Sequence, residues 1–250
     1  AFGGAVYNPN AKGDDRGSRR RGIAVKEGSD KLKAYEASRG VRAYYEAQQM
    51  TWPNLPGTKV EVETIASDVY KGEGATLVTG DKVTEDAVKS LSAQSKLKGY
   101  RSVHLACHGY YNPDFPAFSS VIFSEASSKA QTKEDGYLTV EETALLDLNA
   151  DMVVLSACET GIGKVVKGDG IVGLTRALNV AGANSVGVTL WTVNDDATKL
   201  FMVSVYRKMK EQKISFAKAA YLTKIDFLKK KTGEDYSSPY FWSPFVVYGE

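Results

Sequence analysis

In this chain of 250 residues, the side chains with most chemistry to offer are Cys158 and His108. A thiol attacks as its thiolate. A nucleophilic cysteine therefore wants an imidazole nearby to manage protons, and backbone N–H groups to hold charge developing on a carbonyl oxygen. Both residues follow largely apolar runs, Val103-His-Leu-Ala-Cys107 leading into His108-Gly109 and Met152-Val-Val-Leu-Ser-Ala157 leading into Cys158. Such runs predict buried parallel strands, and active residues gather at the carboxyl ends of strands of that kind. Gly109 has no side chain to keep its N–H from a substrate, and Cys158 can offer its own N–H, so these two are the expected oxyanion donors.

The bland alternative makes Cys158 a small buried apolar residue and His108 a hydrogen-bonded histidine at a strand end. Placement at a strand-to-loop corner before Glu159-Thr160-Gly161 favours catalysis. Cys107 competes for the nucleophile's role but alternates onto the face of Val103 and Leu105, so Cys107, and His104 likewise, are expected to pack in the core. Two cysteines are too few for a disulfide scaffold and suit a reducing, cytoplasmic setting. His104, Cys107 and His108 crowd one segment, and only Cys158 could join them from afar, so no metal is expected. Gly163-Lys164 fails as a phosphate loop, which needs glycine where Cys158 stands and serine or threonine where Val165 stands. A flavodoxin-like binder would need that missing chemistry, and no cofactor is expected. The glycines from Gly161 to Gly170 instead predict a mobile loop at the active site.

The elements that must position these residues alternate. After an apolar start at Ala1 to Tyr7, a polar stretch containing Arg19, Arg20 and Arg21 reads as a solvated loop, and Lys31 to Arg39 as a modest helix. Trp52-Pro-Asn-Leu-Pro-Gly57 then supplies turn chemistry. Helical spacing follows over 58–70, a short strand at 76–79 and a helix at 85–97. Thr139 and Glu142 have the spacing of a capping box. Beyond Cys158 the pattern predicts a helix near 171–181 ended by Gly182, a strand at 185–191, helices near 195–212 and 215–230, and a terminal strand at 244–248. The expected fold is an α/β three-layer sandwich with a mainly parallel central sheet flanked by helices. Residues 1–52 are expected to lead into one domain over 53–250, and the start at Ala1 rather than Met suits the C-terminal part of a longer protein.

The motifs Val103-His-Leu-Ala-Cys-His-Gly109, Val154-Leu-Ser-Ala-Cys-Glu-Thr-Gly161, Gly168-Asp-Gly-Ile-Val-Gly173 and Leu190-Trp-Thr-Val193 closely resemble the CHAT domain, a family of the caspase, separase and gingipain clan of cysteine peptidases. Cys158 lies 50 residues after His108, close to the caspase spacing, although Ser156 stands where caspases carry glutamine. The resemblance implies a caspase-like fold, a dyad of His108 and Cys158, and a regulated bacterial proteolysis or defence pathway. It also implies a protein substrate and an activating helical-repeat domain of tetratricopeptide type. A catalytically silent scaffold with the same fold is the alternative.

In relatives of that clan the segment after the cysteine strand lines the pocket for the residue before the cut. The candidates here are Trp191, Asp195, Glu159 and Asp169, and a carboxylate at Asp195 would favour arginine or lysine. Asn194, Asp195 and Asp196 could equally cap the following helix. A net charge of +2 demands neither nucleic acid nor an anionic membrane as partner, and no apolar run reaches the length that spans a bilayer.

Overall fold

The computed structural model describes residues 1–7, 40–112, 114–127, 133–158, 169–191, 193–233 and 235–249, and for residues 127, 157–158 and 169–172 the backbone alone. Among these the strands are β1 (Phe2–Gly3), β2 (Val78–Thr79), β3 (Ser102–Tyr110), β4 (Ser120–Ile122), β5 (Tyr137–Thr139), β6 (Ala150–Cys158), β7 (Ala183–Thr189) and β8 (Phe245–Gly249). They form one sheet in the order β2-β1-β3-β6-β7-β8, parallel from β2 to β7 and closed by antiparallel β8. An antiparallel ribbon of β4 and β5 leaves the end of β3.

The α-helices are α1 (Val41–Ala47), α2 (Pro56–Thr64), α3 (Glu85–Ala93), α4 (Val140–Ala144), α5 (Asp169–Val180), α6 (Asp195–Gln212), α7 (Phe216–Leu228) and α8 (Pro239–Trp242). Strand β6 shows why its apolar run is continuous. Val153 and Leu155 join a core with Tyr45 of α1, Val88 of α3, and Leu174 and Leu178 of α5. Met152 and Val154 face a second core with Phe201 and Val205 of α6 and Ala219 and Phe227 of α7. A strand covered by helices on both faces has no polar side to alternate with, and the result is the expected three-layer sandwich.

Two glycines set close approaches. At Gly187 in β7 a Cβ would lie 2.5 Å from Phe216 Cζ, so α7 can seat its first turn directly on the strand. Gly182 ends α5 at φ +107°, the left-handed turn expected there. The capping box also forms: Thr139 accepts from the Glu142 N–H and Glu142 from the Thr139 N–H.

Some boundaries differ. Strand β7 stops at Thr189, its last partner on β8 being Phe245, so Trp191 lies beyond the ladder. The helical stretch after Pro56 finishes as a π-helix over Ile65–Val69. The triplets of β4 and β5 are too short to show alternation and were not anticipated. Arg19 to Arg21, the helix expected at 31–39, and residues 159–168 lie outside the described residues.

Candidate active site

Parallel pairing of β3 with β6 brings the two sequence motifs side by side. Leu105 pairs with Leu155, a bulge follows, and then His108 pairs with Ala157 and Gly109 with Cys158. The bulge gives β3 one residue more than its neighbour, which re-aims the residues after it. Cys107 lies in the first core with Val103 and Leu105, and burial pushes its thiol up to about 12. A thiol held protonated there is inert at neutral pH, as its packing role requires.

His108 is fully buried and held from several segments. Its Nε2 lies 2.7 Å from the Pro53 carbonyl oxygen. A carbonyl only accepts, so Nε2 carries the hydrogen, and in the neutral ring Nδ1 is the nitrogen able to take a proton. Tyr7 and Trp52 wall the imidazole, with ring centroids 4.7 Å and 5.7 Å away. The His108 backbone N–H donates to the Tyr7 hydroxyl at 3.3 Å, and that hydroxyl donates to the Ile122 carbonyl at 2.8 Å. The tautomer and ring plane are thus set by a carbonyl and two aromatic residues from the first 53 residues of the chain.

Asp195 opens α6. Asn194 is the N-cap, accepting from the N–H groups of Asp196 and Ala197, so the capping role falls to Asn194. Asp195 is half-buried, and its carboxylate lies against the backbone of Gly57 in the first turn of α2, so close that a Cβ on Gly57 would fall 1.9 Å from Oδ2. Pro56, Gly57, Val60, Asp195, Asp196 and Lys199 line an open depression of about 450 Å³. Pro53, which holds His108, and Gly57, which abuts Asp195, are four residues apart and so within about 14 Å along the chain. Trp191 donates its indole N–H to the Tyr240 carbonyl at 3.3 Å. Asp169 is the first residue of α5. Glu159 lies outside the described residues.

The model of the CHAT domain matches residues 8–250. The chain belongs to the CHAT domain family. That family is related to the caspase-like cysteine peptidases, and the mainly parallel sheet flanked by helices agrees with a caspase-like fold. Tetratricopeptide repeat protein 28 of Mus musculus is 32% identical over 112 residues, 45% of this chain and 4% of that protein. Its Homo sapiens counterpart is 29% identical over 125 residues, 50% of this chain and 5% of that protein. The CHAT chain therefore spans a small part of either relative.

Away from the strand ends, Glu85, Glu134 and Glu142 bring carboxylates close enough to hold a cation. In this CHAT domain Lys89 Nζ sits among them, at 2.6, 2.6 and 2.7 Å. No helix among the described residues is long and apolar enough to cross a membrane.

The Pro53 carbonyl, Tyr7 and Gly57 were not anticipated. A main-chain carbonyl has no residue type to betray it, and Trp52-Pro-Asn-Leu-Pro-Gly57 signalled only a turn. The sole available hint at Gly57 was a glycine placed where a good helix former would serve.

Proposed function

We propose that this CHAT domain is a cysteine endopeptidase working through Cys158 and His108. The observation that carries the reading is the register at the carboxyl ends of two adjacent parallel strands, His108 with Ala157 and Gly109 with Cys158, with the imidazole oriented by the Pro53 carbonyl. In the proposed reaction the Cys158 thiolate attacks the scissile carbonyl carbon. The C–S bond forms, the C–N bond breaks, and the proton held by His108 goes to the leaving amine. Water, deprotonated by His108, then hydrolyses the thioester and frees Cys158. The N–H groups of Gly109 and Cys158 are the proposed oxyanion donors.

The substrate is a protein cut after arginine or lysine, with Asp195 as the acid that favours a cation. Half-burial of Asp195 beside an open depression next to the segment that holds His108 supports that choice. Trp191, Asp169 and Glu159 complete the proposed pocket. Two relatives named for tetratricopeptide repeats support an activating helical-repeat partner, while the bacterial defence setting draws nothing from them, both being vertebrate.

A thiol-directed peptide probe bearing arginine next to its warhead tests the reading. Labelling should disappear in Cys158→Ala and His108→Ala and persist in Cys107→Ala. Labelling unaffected by Cys158→Ala would leave the domain as a silent scaffold, and equal labelling by probes bearing neutral residues would remove the basic preference.

A further inference from the structure

Strand β3 carries a second histidine, and it was expected to be plain core. His104 is buried as expected, and the structure adds what the strand pattern did not show: it stands at the centre of a polar cluster that joins four elements. Its Nε2 lies 2.8 Å from Glu61 Oε1 on α2 and 3.0 Å from Ser156 Oγ on β6. Its Nδ1 lies 2.9 Å from the Tyr206 hydroxyl on α6. Exposure of the four residues does not exceed 4%. A hydrolytic triad is excluded on geometry. In a triad the acid and the nucleophile bond opposite imidazole nitrogens beside a substrate cleft, whereas here Glu61 and Ser156 share Nε2 away from solvent.

Buried hydrogen-bonding groups are satisfied in few arrangements, so the bonds of His104 with Ser156 and Tyr206 hold β3, β6 and α6 in one mutual placement, and the Glu61 carboxylate, which lies at ion-pair distance from Nε2 without a hydrogen bond to its Oε1, sets α2 against them. Each element it ties leads to the candidate active site. Ser156 stands two residues before Cys158, and its carbonyl accepts from the Thr189 hydroxyl at 3.3 Å, which adds β7 to the set. His104 stands one bulge before His108. Helix α2 begins three residues after Pro53, and α6 begins at Asp195.

We propose that Glu61, His104, Ser156 and Tyr206 form a positioning network for the nucleophile, holding the end of β6 so that Cys158 stays in reach of His108. The proposal rests on the reading of Cys158 and His108 as a dyad. The four residues do not touch substrate; they act through two residues of main chain on β6 and through the first turns of α2 and α6. Displacement of a catalytic group by about 1 Å can cost roughly a hundredfold in rate, so a partial loosening is expected to cost about tenfold.

The test is alkylation of Cys158 by iodoacetamide between pH 5 and pH 10, followed site by site by peptide mass, in the wild-type chain, Ser156→Ala, Glu61→Gln, Tyr206→Phe and His108→Ala. A thiol paired with an imidazolium reacts with an inflection below the value of about 8.5 for free cysteine. In the network variants the inflection should rise towards that value, and the rate at pH 7 should fall about tenfold. Variants that lower the melting temperature yet keep the Cys158 profile within twofold of wild type would make the cluster structural only and overturn the proposal. If Ser156→Ala or Glu61→Gln fails to fold, Tyr206→Phe, which loses one oxygen and keeps its ring, decides alone. A profile unchanged by His108→Ala would instead remove the dyad itself, so the two failures are distinguishable.

Discussion

Replacing Gly57 with alanine should destabilise the domain, and the same change should become neutral or stabilising once Asp195 is shortened to glycine. A Cβ at position 57 would meet Asp195 Oδ2 at 1.9 Å, Cγ at 2.3 Å and Cβ at 2.7 Å. The carboxylate can rotate away, but the Asp195 Cβ cannot. Ordinary contact begins at 3.4 Å, so the first turns of α2 and α6 must part by about 0.7 Å, the difference between 3.4 and 2.7 Å. Overpacking of this order costs about 1–3 kcal/mol. Alanine recovers at most about 1 kcal/mol over glycine by helix propensity, and less near a helix start. The net loss is therefore about 1–2 kcal/mol, read as a fall in Tm of roughly 2–4 °C per kcal/mol for a chain of this size. In Asp195→Gly the obstructing atoms are gone and only the helical gain remains. Urea denaturation of the four proteins of this double-mutant cycle should give a coupling of about 1–3 kcal/mol. A Gly57→Ala protein as stable as wild type, or more stable, would refute the packing of Asp195 on Gly57. The same displacement moves the proposed pocket acid, so cleavage after arginine should weaken with the stability change.

Burial pushes Glu85 up to about 7 against the pull of Lys89. A raised carboxyl means that the folded chain holds the proton more tightly than the unfolded one. Its contribution is therefore fully present below the ordinary value of about 4.5 and lost as pH rises through about 7. Glu85→Gln should remove that slope, and a wild-type minus variant stability difference that stays flat between pH 4.5 and 7 would refute it. Thr139→Ala removes the hydroxyl half of the capping box of α4, the Glu142 carboxylate keeping its bond from the backbone N–H, and should cost about 1 kcal/mol in chemical denaturation while leaving Cys158 labelling unchanged.

The strands of the sheet interior were legible because burial on both faces writes itself as an unbroken apolar run, as in Met152 to Leu155. The strand ends were legible with them, since a run that stops at His108-Gly109 or at Cys158 marks the sheet's carboxyl edge. Capping residues were legible because Thr139 and Glu142 act through local spacing. What escaped was non-local. Tyr7 bonds across 101 residues to the His108 N–H, and the Pro53 carbonyl has no side chain through which to be noticed. His104 escaped for a related reason. Strand alternation assigns a residue to a face but says nothing of partners, and its partners come from α2, β6 and α6.

The wall that Tyr7 builds against His108 also has a schedule. Tyr7 is bonded to Ile122, 115 residues later, and Phe2 pairs with Leu105 in the middle of the sheet. At a synthesis rate of about 5–20 residues per second, Tyr7 waits roughly 6–23 s for that partner to be made. Contacts of such long sequence separation form late for entropic reasons too, because a large loop must close before they reward it. Cys158 is made later still. A nascent chain that has not yet reached Cys158 therefore cannot assemble the proposed dyad, and the wall of Tyr7 against His108 closes only after Ile122 has been made.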